Sequence, residues 1–160
     1  MPLTTAELIG TPAYADETDL NRSVDSGKKA TGGGSAIAVG KIVVCATVGG
    51  NWALATAGST GTMGIIPKLD PVNGDSDTTI NVVHRALAEY YAEANGNITV
   101  NADVVADTGG KVKQRAAEAD NCVVGKYMGH YGEGSLSGSG VPTNAIATDA
   151  VRIRFKGGST

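Results

Sequence analysis

Two histidines, two cysteines and a few spaced carboxylates are the residues with which this chain could do chemistry. His84 and His130 stand far apart, and each reads as a surface or satisfied core histidine rather than a metal ligand. Asn73-Gly74-Asp75-Ser76-Asp77 sets three oxygen ligands at alternate positions, as a calcium loop begins. Thr78 then stands where the sixth position needs Gly, and His84 where the twelfth needs Glu, so a polar turn is the better reading. Glu89 and Glu93 would lie one turn apart on a helix but merely share a face on a strand. Cys45 sits in Ile42-Val43-Val44-Cys45-Ala46 and Cys122 precedes Val123-Val124, surroundings that suit small buried hydrophobes. A disulfide between them is the alternative, whereas redox catalysis lacks a Cys-x-x-Cys pair. Gly40-Lys41 fails as a phosphate loop, because Ser35 occupies the first glycine position and Ile42 follows the lysine. No Gly-x-Ser-x-Gly elbow occurs. Gly132-Glu133-Gly134-Ser135-Leu136-Ser137 misses the last glycine of Gly-x-Gly-x-x-Gly and reads as a mobile loop. Asn21-Arg22-Ser23 and Asn97-Ile98-Thr99 match the glycosylation sequon, which matters only in a secretory pathway. These residues predict no catalytic group, no metal and no cofactor.

The elements around them set a different task. In 160 residues there are 23 glycines, and aromatic residues make up only 4%. That length favours one domain with a core of its own. A net charge of −3 gives no basic footprint for nucleic acid or an anionic membrane. No apolar run is long enough to span a bilayer, and Met1 to Leu8 lacks the basic start and apolar centre of a signal peptide. Residues 1–35 are polar, mixed in charge and end in Thr31-Gly32-Gly33-Gly34-Ser35, a linker composition. They are expected to form a flexible N-terminal arm, with 36–160 as a single β domain.

From Ala36 onward, short apolar runs alternate with Gly, Asn and Asp. Ala36–Val39, Lys41–Val48, Trp52–Ala57, Thr62–Ile66, Ile98–Val100, Val104–Ala106, Lys111–Arg115, Cys122–Met128 and Val151–Phe155 read as strands. Gly49-Gly50-Asn51 reads as a hairpin turn. In Val151-Arg152-Ile153-Arg154-Phe155, strict alternation puts three apolar residues on one face and both arginines on a wet one. Val82–Ala94 conflicts with its surroundings: its propensities favour helix, with Val83, Leu87, Tyr90 and Ala94 on one face, yet its neighbours are strands. Strand is the expectation there, because tertiary context overrides propensity. Ile37–Val44 also echoes Ile98–Val105 at an offset of 61, Gly49-Gly50 echoes Gly109-Gly110, and Met63-Gly64-Ile65 echoes Val124-Gly125-Lys126. Such an echo implies two similar β units in one barrel or sandwich. The fold class is therefore mainly β, a small barrel or sandwich of short antiparallel strands with an extended N-terminal arm.

The succession Gly96-Asn97-Ile98-Thr99-Val100-Asn101-Ala102-Asp103-Val104-Val105-Ala106-Asp107-Thr108-Gly109-Gly110-Lys111-Val112, then Val123-Val124-Gly125-Lys126-Tyr127-Met128, then Ala150-Val151-Arg152-Ile153-Arg154, resembles the small capsid cement, or head decoration, proteins of tailed bacteriophages. Lys41–Ile66 is similar to the first half of that family, and the likeness spans residues 36–156. It rests on strand and turn grammar. Asn101-Ala102 departs from the Ala-Gly the family favours, Val82–Ala94 departs by its helical propensity, and the arm has no fixed counterpart. The resemblance implies a structural protein on the capsid exterior of a virion, with no enzyme activity. Its partners would be the major capsid protein and further copies of itself in a dimer or trimer, without nucleic acid or membrane. In that picture the arm is a tether whose apolar anchors are Leu8, Ile9, Tyr14 and Leu20. The rival reading is a carbohydrate-binding or adhesin module stacking sugars on Trp52, Tyr90, Tyr91, Tyr127 and Tyr131. Another virion or surface-assembly protein is the nearer alternative.

Overall fold

The computed structural model describes residues 5–13, 24–29, 37–47, 51–68, 79–84, 86–131, 133 and 141–157. Among them are one α-helical turn, α1 (Thr5–Leu8), two short 3-10 turns (Thr108–Gly110 and Asp120–Cys122), and ten strands: β1 (Val24–Lys29), β2 (Ile42–Thr47), β3 (Asn51–Leu54), β4 (Met63–Ile65), β5 (Thr79–Val83), β6 (Glu89–Glu93), β7 (Asp103–Asp107), β8 (Lys111–Gln114), β9 (Val123–Tyr127) and β10 (Ala150–Phe155). The fold is mainly β, as the glycine-punctuated apolar runs predict. The first five strands close a barrel in the order β1-β3-β2-β4-β5, and the last five form a sheet in the order β6-β10-β9-β7-β8. All pairings are antiparallel except β1 with β3. A single parallel bridge from Ala94 to Val112 brings the edges of the second sheet together.

The internal echo is a repeat of register as well as of sequence. β2 pairs Val43 with Gly64 of β4, and β7 pairs Val104 with Gly125 of β9. β1 runs from Val24 opposite Val83 to Lys28 opposite Thr79, as β6 runs from Glu89 opposite Arg154 to Glu93 opposite Ala150. The parallel contact Lys29 to Trp52 has its counterpart in Ala94 to Val112. Even the turn before the second strand recurs. Gly40 N–H donates to Ile66 O at 2.8 Å and Ile66 N–H to Lys41 O at 3.2 Å; Asn101 N–H donates to Tyr127 O and Tyr127 N–H to Ala102 O, both at 3.0 Å. Both turns need a left-handed residue, supplied by Gly40 at φ 81° and Asn101 at φ 66°. Asn tolerates that conformation better than most side chains.

Alternation along the strands builds two cores. Ile37, Val43, Trp52, Ile66, Ile80 and Val82 fill the first barrel. Ile42, Val44, Met63, Ile65 and Val83 point the other way and join one apolar cluster with Val104, Val124, Ile153 and Phe155 of the second unit. The outer face of the first unit is thus buried against the second.

Several expectations need correction. Ala36–Val39 is not a strand: the described residues 37–40 form a bend and turn, with buried Ile37 plugging the barrel. Ile98–Val100 is reduced to a bridge between Ile98 and Ala145. Val82–Ala94 is extended, as expected, but as the end of β5 and the whole of β6 around a turn at Ala86–Leu87, where Leu87 takes φ 69°. Leu87 N–H donates to Phe155 O and Phe155 N–H to Ala88 O, so β10 clamps the link between units. Cys45 and Cys122 are free thiols, half-buried and buried. Arg152 does not face water. It is buried, and only Arg154 is wet.

The expected arm is built into the fold wherever it is described. Val24–Lys29 is a barrel strand, because β3 and β5 supply backbone partners that an isolated polar segment lacks. Residues 10–13 add to β6: Gly10 N–H donates to Tyr91 O, Tyr91 N–H to Thr11 O and Ala13 N–H to Glu89 O. Lys68 N–H donates to Gly10 O, so the same segment also ties the first unit.

Candidate functional site at the β9–β10 connection

The longest described excursion from the two sheets lies between Tyr127 and Ala150. It leaves β9 in register: Met128 N–H donates to Arg152 O at 2.8 Å, and Arg152 N–H donates to Gly129 O at 3.0 Å. The chain then turns at His130, whose carbonyl accepts the Glu133 N–H. Glu133 is the hub. Its carboxylate accepts the backbone N–H of His130 (3.0 Å), the backbone N–H of Thr143 (3.0 Å) and the Thr143 hydroxyl (2.7 Å), and lies 3.1 Å from His130 Nδ1. On the other side of the ring, His130 Nε2 is 2.7 Å from Asp149 Oδ2, an oxygen that also accepts the Ile146 N–H. The Tyr127 hydroxyl donates to Thr143 O at 2.7 Å and sits 3.2 Å from His130 Nδ1. The returning half is laced to the second unit by paired hydrogen bonds between Ala145 and Ile98 and by Asn144 Oδ1 accepting Val100 N–H.

Electrostatics follow from this wiring. Partial burial alone would raise Glu133, but its donors from His130 and Thr143 outweigh burial and hold it down at about 2. Burial likewise opposes charge on His130, yet the hydrogen bonds to Asp149 and Glu133 win and hold its pKa above the ordinary value. Burial, followed by the charges of Glu133 and Asp149, raises the Tyr127 phenol. The ring therefore favours the imidazolium form, with a carboxylate on each nitrogen. A histidine so engaged is a poor general base, and Thr143 directs its hydroxyl proton at Glu133. The group acts as a clasp. Outside it the connection presents apolar side chains to water: Tyr131 at 57% exposure, Val141 at 84% and Ile146 at 62%.

A second polar group stands behind the clasp. Buried Arg152 lies with Nε 3.1 Å from Glu89 Oε1 and donates from its guanidinium to Met128 O. Glu89 also binds Arg154 at 3.0 Å, and Glu93 pairs with Lys111 at 2.9 Å. The two glutamates thus serve separate cross-strand ion pairs.

The residues predicted from sequence fall elsewhere. Leu8 is buried in a small cluster with Tyr91 and Ala150, and Ile9 packs half-buried against it. Leu8 is accordingly used inside its own chain rather than left as an anchor for a neighbour. Tyr14 and Leu20 lie outside the described residues, as do Asn73–Asp77 and the Gly/Ser stretch from Gly134 to Gly140. The aromatic platform is not assembled: Trp52, Tyr90, Tyr91 and Tyr127 are buried, and Tyr131 alone of the five is exposed. Reading His130 as isolated overlooks Glu133, three residues on. Thr143 and Asp149, 13 and 19 residues away, meet it only through the fold. No group of three or more His, Cys, Asp or Glu side chains converges on a metal position among the described residues, and no helix there is long and apolar enough to cross a membrane. Compared with known proteins, the chain matches no family model and no curated protein.

Proposed function

We propose that this chain is a capsid cement or decoration protein, binding the outside of a tailed-phage head and stabilising it across capsomer joints. The observation that carries the reading is the strand and turn succession from Gly96 to Met128 and from Ala150 to Arg154, which resembles that family. The exposed trio Tyr131, Val141 and Ile146 supports it, because apolar side chains fixed on a hydrogen-bonded connection lose little entropy on docking. Its partners are then the major capsid protein and further copies of itself in a dimer or trimer, and its place is the virion exterior. Many weak contacts per head supply avidity, and each must break before the shell opens. With Leu8 used internally, the connection replaces the arm as the contact surface of choice.

The test mixes the purified full chain with expanded, undecorated heads of its source phage. Saturable co-sedimentation in many copies, with DNA released at a higher temperature, is the expected result. Val141→Asp combined with Ile146→Asp should weaken binding at least about tenfold without unfolding the chain. Absence of binding to such heads overturns the proposal.

A further inference from the structure

We propose that the β9–β10 connection is a proton-operated clasp, closed while His130 carries both ring protons and opened on one side when it loses the proton on Nδ1. The ring bridges two carboxylates, Glu133 at 3.1 Å and Asp149 at 2.7 Å. Only an imidazolium donates to both; a neutral ring must turn a lone pair toward one of them. The shorter contact at Nε2 keeps its proton, so the lone pair appears at Nδ1.

The consequence is local and directional. With Nδ1 bare, the Thr143 hydroxyl, 3.2 Å away, has a new acceptor and can leave Glu133. The Tyr127 hydroxyl, also 3.2 Å away, is already donating to Thr143 O. Glu133 then faces a lone pair where it had a cation and holds Thr143 by a single backbone bond. The Asp149 side keeps both its ties, to Nε2 and to Ile146 N–H. Deprotonation thus frees the segment around Val141 and Thr143 while Ile146 stays pinned.

The surrounding groups agree with this. Glu133 faces the ring from its own turn, Asp149 from the turn just before β10 and the Tyr127 phenol from β9. Arg152 of β10, whose charge acts on the Tyr127 phenol, is matched by Glu89 of β6, with Tyr91 beside that pair in register opposite Arg152. The histidine pKa is raised, so the contribution is complete below the ordinary value near 6.5 and disappears as pH rises through the higher folded value. The device does not depend on what the connection binds.

Ring-nitrogen NMR on the full chain reads the tautomer, and amide exchange corrected for its intrinsic pH dependence reads the two sides. His130 should titrate above about 6.5 into the Nε2–H tautomer. Across the same step Thr143 protection should fall about tenfold, the loss of one charge-assisted hydrogen bond, while Ile146 protection stays within about twofold. His130→Gln should leave Thr143 at the low value, unchanged across the pH range of the His130 step. If that variant does not fold, the titration of the unaltered chain decides alone. Thr143 protection that stays flat through the His130 titration, or a neutral ring protonated at Nδ1, overturns the proposal.

Discussion

Adding one methyl group at Gly125 should separate the strands of the second unit. Gly125 lies on β9 opposite Phe155, and a Cβ there would fall well inside contact distance of the Arg154 carbonyl oxygen and 2.9 Å from its carbonyl carbon. The obstacle is backbone, not the end of a flexible side chain, so relief requires β10 to move. β10 also carries Val151, Ile153 and Phe155 into the core. Overpacking a well-fitted site costs about 1–3 kcal/mol, and an immovable obstacle puts Gly125→Ala at roughly 3 kcal/mol. Gly64 is its counterpart on β4. A Cβ there would overlap the Val83 carbonyl oxygen and approach Val82 Cγ1 to 2.7 Å, so Gly64→Ala should cost about as much. Gly58 serves as control: its Cβ would meet nothing within 4 Å, and Gly58→Ala should stay within about 0.5 kcal/mol of the parent. In urea, with a slope of about 2 kcal/mol per molar, 3 kcal/mol moves the midpoint by about 1.5 M. A midpoint for Gly125→Ala indistinguishable from that of Gly58→Ala would refute the close strand approach. A large loss for one glycine and none for its counterpart would refute the equivalence of the two units.

Glu89→Gln leaves buried Arg152 without its carboxylate and should cost roughly 3 kcal/mol in the same urea assay; a loss under about 1 kcal/mol would mean that the pair holds little. Leu8→Ala should remove about 2 kcal/mol and speed amide exchange at Gly10 and Ala13 first, since Leu8 seats that segment against Tyr91 and Ala150. Unchanged exchange at both would show that the backbone bonds suffice. Glu133 is held down at about 2, so its stabilising effect is complete above the ordinary carboxylate value and is lost as pH falls toward 2. Thr143 protection should decline over that acid range, and Glu133→Gln should abolish the decline.

The strands were legible because their evidence is local. Ile42–Thr47, Val123–Tyr127 and Ala150–Phe155 announce themselves by β-branched runs between turn residues. Val24–Lys29 does not: Val-Asp-Ser-Gly-Lys-Lys has the composition of a loop, and only neighbours on both sides make it a strand. Ile37 failed in the opposite sense, since an apolar residue that plugs a barrel needs no strand around it. The repeat was partly visible at its strongest strands and hidden where the units diverge, as where Trp52 corresponds to Val112. At the candidate site, residue types were plain but partners were not. A histidine between two carboxylates requires Asp149 to return to Nε2, and sequence spacing says nothing of that return.

The shared register also fixes how the units can add. On the first unit Ile42, Ile65 and Val83 form the face buried against the second. The same register positions on the second unit are Asp103, Lys126 and Arg154, where Lys126 meets Asp103 at 3.2 Å and Arg154 reaches back to Glu89. The two units therefore do not share one face about a twofold axis; they follow one another as links in a row, each contact joining unlike surfaces. Such a row has no intrinsic end, and a second unit as apolar as the first would recruit a third. On the second unit that position is taken by salt bridges between β7 and β9 and between β10 and β6, which give the face a polar surface in place of an apolar one.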